Sequence, residues 1–285
     1  MNRRRRAVAG AVALAMVVCL SAGCGFDRRF VFQPRPWKLN NLAKRSGLPI
    51  EDVELHTSDG VMLHGWFIPA PTPLATLLWC HGNAGNMTDR LDKLAELYRR
   101  HLSIFIFDYR GYGQSHGVPS EDGLYRDAQA AYAYLIDGRH LDPKRVVLFG
   151  RSLGCAVAGD LATQRPAAGL ILESPFSSLQ EVIRTRYGNW PLEQFFDSNF
   201  DLLAKMPRIH MPVLIIHGDR DEVVPLSLGQ RVYDAANPPK DFYLIAGAHH
   251  DDMSRVGGKR YFERFVEFVQ NITQDAPTRE TEKAR

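Results

Sequence analysis

The distribution of apolar and polar residues predicts alternating strands and helices from about residue 50 onward. Two alternating stretches, "VELHTSDG" and "VMLHGWFIP", flank Asp59-Gly60 and predict a β-hairpin. The later strands are continuous apolar runs such as "ATLLWC", "SIFIF", "RVVLF", "GLILE", "PVLII" and "DFYLI". Strands of this kind are buried on both faces, as in a parallel sheet. Helix-like segments separate them, so we expect an α/β sheet layered by helices.

One stretch breaks this alternation, because roughly 35 residues between Pro175 and Met211 contain no strand. Long connections in compact domains are often lids. The stretch also carries several aromatic side chains, namely Tyr187, Trp190, Phe195, Phe196 and Phe200. We expect residues 176–210 to form a small cap over a functional site, and helices that merely cover the sheet edge are the alternative. The polar residues 273–285 are predicted to be disordered.

Residues 1–23 are typical of a secretory signal, with four arginines, the apolar run "AVAGAVALAMVVCL" and small residues at the end. The end resembles a bacterial lipobox, whose cysteine becomes the lipidated first residue, although Ser21 takes the position of the usual leucine. We therefore expect Cys24 to carry lipid. The protein would then be a membrane-anchored lipoprotein of the cell envelope, facing the periplasm or the exterior. An uncleaved anchor and a plain secreted form are the alternatives.

Residues 24–49 would form a tether and an N-terminal arm. Aromatic residues alternate there with basic ones, which suits either a membrane interface or an arm packed on the domain. The formal charge of +3 comes from the signal, because the chain without its four leading arginines has a net charge of −1. A near-neutral body with scattered charge gives no footprint for nucleic acid. The oligomeric state leaves no trace in the sequence.

The stretch "FGRSLGC" places Ser152 between Gly150 and Gly154, after a predicted strand and before a predicted helix. A serine hydroxyl needs exposure, a base and a site that stabilises an oxyanion before it can act as a nucleophile. Glycines on both sides permit a tight, strained turn that exposes the hydroxyl above the sheet. Ser152 is therefore the predicted nucleophile.

Five motifs occur in one order along the chain: "HGNAGN", "FDYRGYGQSHG", "GRSLG", "HGDRDEVVP" and "AGAHHDD". In that order they resemble the α/β-hydrolases, and within them the serine-aminopeptidase-like and monoacylglycerol-lipase-like branch. The resemblance covers residues 50–272. It implies a mostly parallel eight-stranded sheet flanked by helices, and no metal or cofactor. Cys155 stands where many relatives carry another glycine, and we expect no loss of function from it.

The resemblance also implies that an acid and then a histidine follow the serine. The acid that matches the family motif is Asp221, which leaves Asp219 as a turn residue. On the loop after the last strand, His249 is chosen as the base because it directly follows the Gly247-Ala248 turn. His250 is the alternative. His217 is expected to pack at a strand end.

The family's oxyanion hole implies two backbone N–H donors, Leu153 and Asn83, with Ala84 as the second choice for the latter. His81 is expected to be structural. Asp108 and Arg110 are expected to form an ion pair in a fixed turn. Buried thiols are expected at Cys80 and Cys155, and a bridge between them is possible in an oxidising compartment.

These residues imply a serine hydrolase that cleaves carboxylic esters through a Ser-His-Asp triad and an acyl-enzyme. Its substrate would be a small ester, and the aromatic insert and the membrane tether favour a hydrophobic acyl group. A serine peptidase or amidase is the alternative, because fold does not fix substrate. A tethered binding protein without activity is a further alternative.

Overall fold

The computed structural model describes residues 31–35, 37, 46–188 and 196–273. The predicted signal at 1–23, the lipidation site Cys24 and most of the tether lie outside the described residues. Part of the predicted cap, residues 189–195, and the predicted tail from residue 274 onward also lie outside them. Within the described part of the chain, no helix is long and apolar enough to cross a membrane.

Within the described residues, eight strands form the main sheet, which confirms the predicted class. They are β1 (Glu51–His56), β2 (Met62–Ile68), β3 (Ala75–Cys80), β4 (Leu102–Phe107), β5 (Val146–Arg151), β6 (Gly169–Glu173), β7 (Val213–Gly218) and β8 (Lys240–Ile245). A separate two-stranded ladder joins Gln33–Pro34 to Ala84–Gly85.

The strand order across the sheet is β8-β7-β6-β5-β3-β4-β2-β1. The pairs β1–β2 and β2–β4 are antiparallel, and the remaining pairs are parallel. The predicted hairpin is confirmed, with Val53 opposite Gly65 in its register. Strands β3 to β7 are buried along their whole length apart from the last residue of β5, because helices cover both faces of the parallel part.

Six α-helices connect or follow the strands within the described residues. They are α1 (Leu91–Tyr98), α2 (Glu121–Ala133), α3 (Leu153–Ala162), α4 (Leu179–Tyr187), α5 (Leu226–Ala235) and α6 (Met253–Thr273). Short 3₁₀ turns span Met87–Arg90, Pro143–Arg145 and Met206–Arg208, and a π turn, Tyr134–Gly138, extends α2. Side-chain caps mark several starts: Asn86 caps the turn before α1, Ser120 caps α2 and Ser178 caps α4.

The insert after β6 is represented by α4 and by residues 196–210. Phe200 is buried, and its backbone N–H donates to the Glu121 carboxylate over 2.9 Å. The Asn199 N–H donates to the other oxygen of the same carboxylate over 2.6 Å. These bonds attach the second half of the insert to the start of α2. Its role as a cap stays a prediction.

The described part of the N-terminal arm packs on the domain. Phe32 is buried, and its ring meets Phe200 edge-on with 6.2 Å between centroids. The Trp37 ring contacts the rings of His64 and Trp66 at 5.1 and 5.5 Å. For Phe32 and Trp37 the packed arrangement is therefore the observed one.

Candidate active site

Ser152 lies at the sharp corner between β5 and α3, where the chain leaves the carboxyl edge of the sheet. Its φ is 52° and its ψ is −118°, a conformation that costs a non-glycine residue about 1–3 kcal/mol. The corner is held by neighbouring backbone, because the Ser152 N–H donates to the Glu173 carbonyl over 2.9 Å. The side chain remains partly exposed, so the hydroxyl is presented above the sheet.

The two flanking glycines are required by close backbone contacts. A Cβ atom on Gly154 would lie 2.0 Å from the Cys80 carbonyl oxygen. A Cβ atom on Gly150 would lie 2.5 Å from the Gly154 carbonyl oxygen. Real Cβ atoms do not approach backbone so closely. The pattern G-x-S-x-G is therefore the pattern that lets α3 start directly against β3 and β5.

His250 and Asp221 continue from the serine in one hydrogen-bonded row. His250 Nε2 lies 3.1 Å from Ser152 Oγ, and His250 Nδ1 lies 2.8 Å from Asp221 Oδ2. His250 and Asp221 are both buried, with 6% and 7% of their surface exposed. The structure thus brings together a hydroxyl, an imidazole and a carboxylate from the ends of β5, β7 and β8.

The prediction that His249 is the histidine beside the serine is wrong. Its side chain is half exposed, and its Nδ1 lies 2.9 Å from the exposed carboxylate of Glu222. The preceding residue, Ala248, is buried, and its carbonyl accepts the Arg220 N–H. Because Ala248 is buried, the side chain of the next residue, His249, extends into solvent. The side chain of His250 is buried again and lies in the site.

Asp221 is oriented by the backbone that follows it. Its Oδ1 accepts the N–H groups of Val223 and Val224 over 2.9 and 2.8 Å, which leaves Oδ2 for His250. Burial alone raises the pKa of Asp221, but the hydrogen bond and charge of His250 outweigh burial and hold that pKa below its usual value. Asp221 is thus kept as a carboxylate beside the imidazole.

Two nearby residues have the structural places predicted for them. Asp219 accepts the Gly247 N–H over 2.6 Å, so it shapes the loop before His250. His217 is fully buried at the end of β7, and its Nε2 contacts the Val224 carbonyl over 2.9 Å. Burial lowers the pKa of His217, which favours a neutral ring beside Asp221.

A buried charge network behind the serine was missed by the sequence analysis. Arg151, the residue before the serine, bonds the Glu173 carboxylate at 3.2 Å and the His250 carbonyl at 2.8 Å. Glu173 also accepts from Lys93 and from the Tyr261 hydroxyl. The sequence features that could have indicated this network are the charged residues at the ends of two apolar strands, in "FGRS" and "LILES".

The opposite charges in this network stabilise one another. Burial raises the pKa of Glu173, but the charges of Lys93 and Arg151 outweigh burial and lower that pKa to about 2. Burial lowers the pKa of Lys93 to about 8, with Glu173 opposing the shift. Both groups are therefore mainly charged at neutral pH.

The two predicted oxyanion donors belong to the two segments that border the serine, the start of α3 and the loop after β3. Leu153 is the first residue of α3, so its N–H has no acceptor within the helix. The loop that carries Asn83 approaches from the end of β3, and a Cβ on Gly82 would lie 3.6 Å from Ser152 Cβ. His81 at the start of this loop is fully buried, and its ring packs at a tilt against the Tyr109 ring with 4.4 Å between centroids, in keeping with a structural role.

The predicted Asp108–Arg110 ion pair is not formed. Arg110 instead pairs with Asp127 and Asp59, each at 2.8 Å. Asp108 accepts the Met87 N–H over 2.8 Å and fixes the start of the turn before α1. Arg110 points away from Asp108 because its partners lie on α2 and in the β1–β2 turn.

Both predicted thiols, Cys80 and Cys155, are buried and free. The Cys155 thiol donates to the carbonyl oxygens of Gly150 and Glu173, each at 3.2 Å. Across the described residues, no cluster of three or more His, Cys, Asp or Glu side chains is arranged to hold a metal ion.

Comparison with known proteins gives a consistent family. The family model described as "Serine aminopeptidase, S33" matches residues 71–194. The uncharacterized protein Rv2307c of Mycobacterium tuberculosis is 38% identical over 246 residues, covering 85% of this chain and 87% of that protein. The alpha/beta hydrolase domain-containing protein WAV2 of Arabidopsis thaliana is 31% identical over 300 residues, covering 95% of this chain and 96% of that protein. The Pyrococcus furiosus esterase Pf2001 has the same fold, with a TM-score of 0.72 at 24% identity over 84% of this chain and 98% of that structure.

Proposed function

Because the chain belongs to the α/β-hydrolase family, we propose that it is a serine hydrolase that cleaves carboxylic esters, hydrophobic acyl esters in particular. The observation that carries the proposal is the row Ser152–His250–Asp221, with contacts of 3.1 and 2.8 Å. A hydroxyl, an imidazole and a buried carboxylate in this sequence of contacts match the requirements of nucleophilic acyl transfer.

In the first step Ser152 Oγ attacks the ester carbonyl carbon while His250 Nε2 takes the hydroxyl proton. The imidazolium so formed lies against Asp221, whose carboxylate holds the ring by Nδ1 and stabilises its charge. The carbonyl π electrons move onto oxygen, and a tetrahedral oxyanion results. Collapse of this intermediate expels the alcohol, which receives its proton from His250.

The oxyanion is stabilised by the N–H groups of Leu153 and Asn83. The start of α3 adds the positive end of the helix dipole at the same point. Removal of one such N–H donor typically lowers kcat by a factor of about 10²–10³. Water then attacks the acyl-enzyme, with His250 as the base, and the acid is released.

A hydrophobic acyl group is supported by the aromatic composition of the insert at 176–210 and by the lipoprotein-like N-terminus. We place the protein at a membrane of the cell envelope, held by lipid on Cys24. Labelled fatty acid incorporated into the wild type and lost in Cys24→Ala is the expected result. Equal labelling of the two would contradict the anchor.

The test of the function is hydrolysis of p-nitrophenyl esters of increasing acyl length by the full-length protein in detergent. We expect turnover that is lost in Ser152→Ala, and an optimum at a medium or long acyl chain. Equal rates for the two proteins on every ester would contradict an esterase.

A serine amidase or aminopeptidase is the second candidate, supported by the family model matched at 71–194. Aminoacyl p-nitroanilides test it with the same pair of proteins. Faster cleavage of the anilides than of the esters would favour the amidase. A binding protein without activity has less support, because none of the three proposed catalytic groups is missing.

A further inference from the structure

The N-terminal arm, residues 31–35, is anchored to the domain by two buried side chains. Val31 and Phe32 are 5% and 2% exposed, and the Phe32 ring packs on Phe200. The next three residues are exposed and extend along the protein surface. The anchor therefore fixes where the backbone after Phe32 runs.

That backbone runs along the loop after β3, residues 81–86, which we call the oxyanion loop. Gln33–Pro34 pairs in parallel with Ala84–Gly85. The Arg35 N–H donates to the Gly85 carbonyl over 3.3 Å, and the Asn86 side-chain amide donates to the Arg35 carbonyl over 3.2 Å. The arm thus contributes backbone hydrogen bonds to a loop that belongs to no strand of the main sheet.

One contact of the arm is made to the side chain of Asn83, the residue whose backbone N–H is the proposed oxyanion donor. The Gln33 N–H donates to Asn83 Oδ1 over 3.0 Å, and the Tyr112 hydroxyl donates to the same oxygen over 3.3 Å. Two hydrogen bonds therefore restrain the side chain of the residue whose backbone N–H is the proposed oxyanion donor. Catalytic donors need placement within about 0.5 Å, so a support of this kind matters for rate.

We propose that the arm is part of the catalytic apparatus: its backbone, through Gln33, positions the oxyanion loop and with it the Asn83 N–H. The inference rests on the proposed function, because it assigns the arm to the oxyanion hole of that reaction. Gln33 is a positioning residue and acts through its backbone, since its side chain is exposed.

The test compares Gln33→Pro with Gln33→Ala in the full-length protein. Proline removes the N–H that reaches Asn83, whereas alanine keeps it. We expect kcat to fall about tenfold in Gln33→Pro with KM little changed, because the lost placement acts on the transition state. Gln33→Ala, which keeps this N–H, should have a kcat close to that of the wild type. Asn83→Ala, which removes the acceptor and keeps the Asn83 N–H, should resemble Gln33→Pro.

Hydrogen exchange of peptides covering residues 81–86 gives a readout that does not depend on turnover. Faster exchange in Gln33→Pro and Asn83→Ala, with Gln33→Ala close to the wild type, supports the proposal. Unchanged exchange in Gln33→Pro, or an unchanged kcat in an active enzyme, overturns it. If the wild type hydrolyses no ester, the proposed function fails, and the exchange result alone decides whether the arm positions the loop.

Discussion

Arg151 donates a hydrogen bond from Nη2 to the carbonyl oxygen of His250 over 2.8 Å. The residue before the proposed nucleophile therefore holds the loop that carries the proposed base. The same guanidinium bonds Asp251 at 2.7 Å and Glu173 at 3.2 Å, so the loop is attached to β5 and β6 together. The same loop carries the His250 imidazole, whose Nε2 lies 3.1 Å from Ser152 Oγ.

Removal of this attachment should slow the reaction. We expect Arg151→Met to lower kcat about 10²-fold, because a displacement of about 1 Å at a catalytic group costs that much. Arg255→Met is the matched control, since Arg255 is exposed on the first turn of α6 and its ion pair with Asp252 reaches the end of the same loop. Ester hydrolysis and circular dichroism of both variants provide the check. Equal kcat values for the two would contradict the role of Arg151.

Adjacent histidines provide a paired test of the base. His250→Gln should lower kcat by about 10³-fold or more, because the proton of Ser152 then has no acceptor. His249→Gln should stay within about threefold of the wild type, since its ring is half exposed and faces Glu222. Steady-state kinetics on one ester measures both, and the reverse order of effects would restore His249 as the base.

Asp221 should matter through its charge. Asp221→Asn keeps the shape of the side chain but removes the carboxylate that accepts from His250 Nδ1. A loss of about 10⁴-fold in kcat is expected, as in other triads where the asparagine favours the wrong tautomer. Glu222→Gln changes an exposed carboxylate next to it and should have little effect. A small loss in Asp221→Asn, measured as kcat on the same ester, would argue against the triad.

The serine corner should not tolerate a methyl group on Gly154. The added Cβ would lie 2.0 Å from the Cys80 carbonyl, so backbone must move and Ser152 with it. We expect Gly154→Ala to lose activity and to lower the free energy of unfolding by several kcal/mol, on the order of an overpacked core site. Gly138→Ala is the control, because its Cβ would meet only the Tyr134 ring, at 3.3 Å. Urea titration compares the two, and equal midpoints would contradict the close approach.

Glu173 should contribute to stability in acid. Its pKa is about 2 in the folded protein against 4.5 for a free side chain, so the unfolded chain binds the proton more readily. The contribution, about 3 kcal/mol, is present above pH 4.5 and is lost as the pH falls toward 2. Glu173→Gln should flatten this acid limb of the stability curve, whereas Glu54→Gln on the exposed surface should not. Parallel curves for wild type and Glu173→Gln would refute it.

The strands and the serine corner could be predicted because neighbouring residues determine them. Continuous apolar runs predict strands that are buried on both faces. The glycines on both sides of Ser152, Gly150 and Gly154, predict a tight turn in which neighbouring backbone segments lie close together. Asp221 followed from a motif whose backbone N–H groups orient the carboxylate within three residues. These features are local, so the order of amino acids carries them.

The fold was needed wherever the partner lies far along the chain. The local sequence gives His249 and His250 similar support as the base. The structure decides between them, because the hydrogen bond from Arg220 N–H to the Ala248 carbonyl fixes the backbone just before the two histidines. Arg110 takes Asp127 and Asp59 rather than Asp108, because α2 and the hairpin turn meet beside it. The Lys93–Glu173–Arg151 network and the contact of Gln33 with Asn83 likewise join segments that only the tertiary structure brings together. Periodicity records which face of an element is buried, but not which distant element covers it.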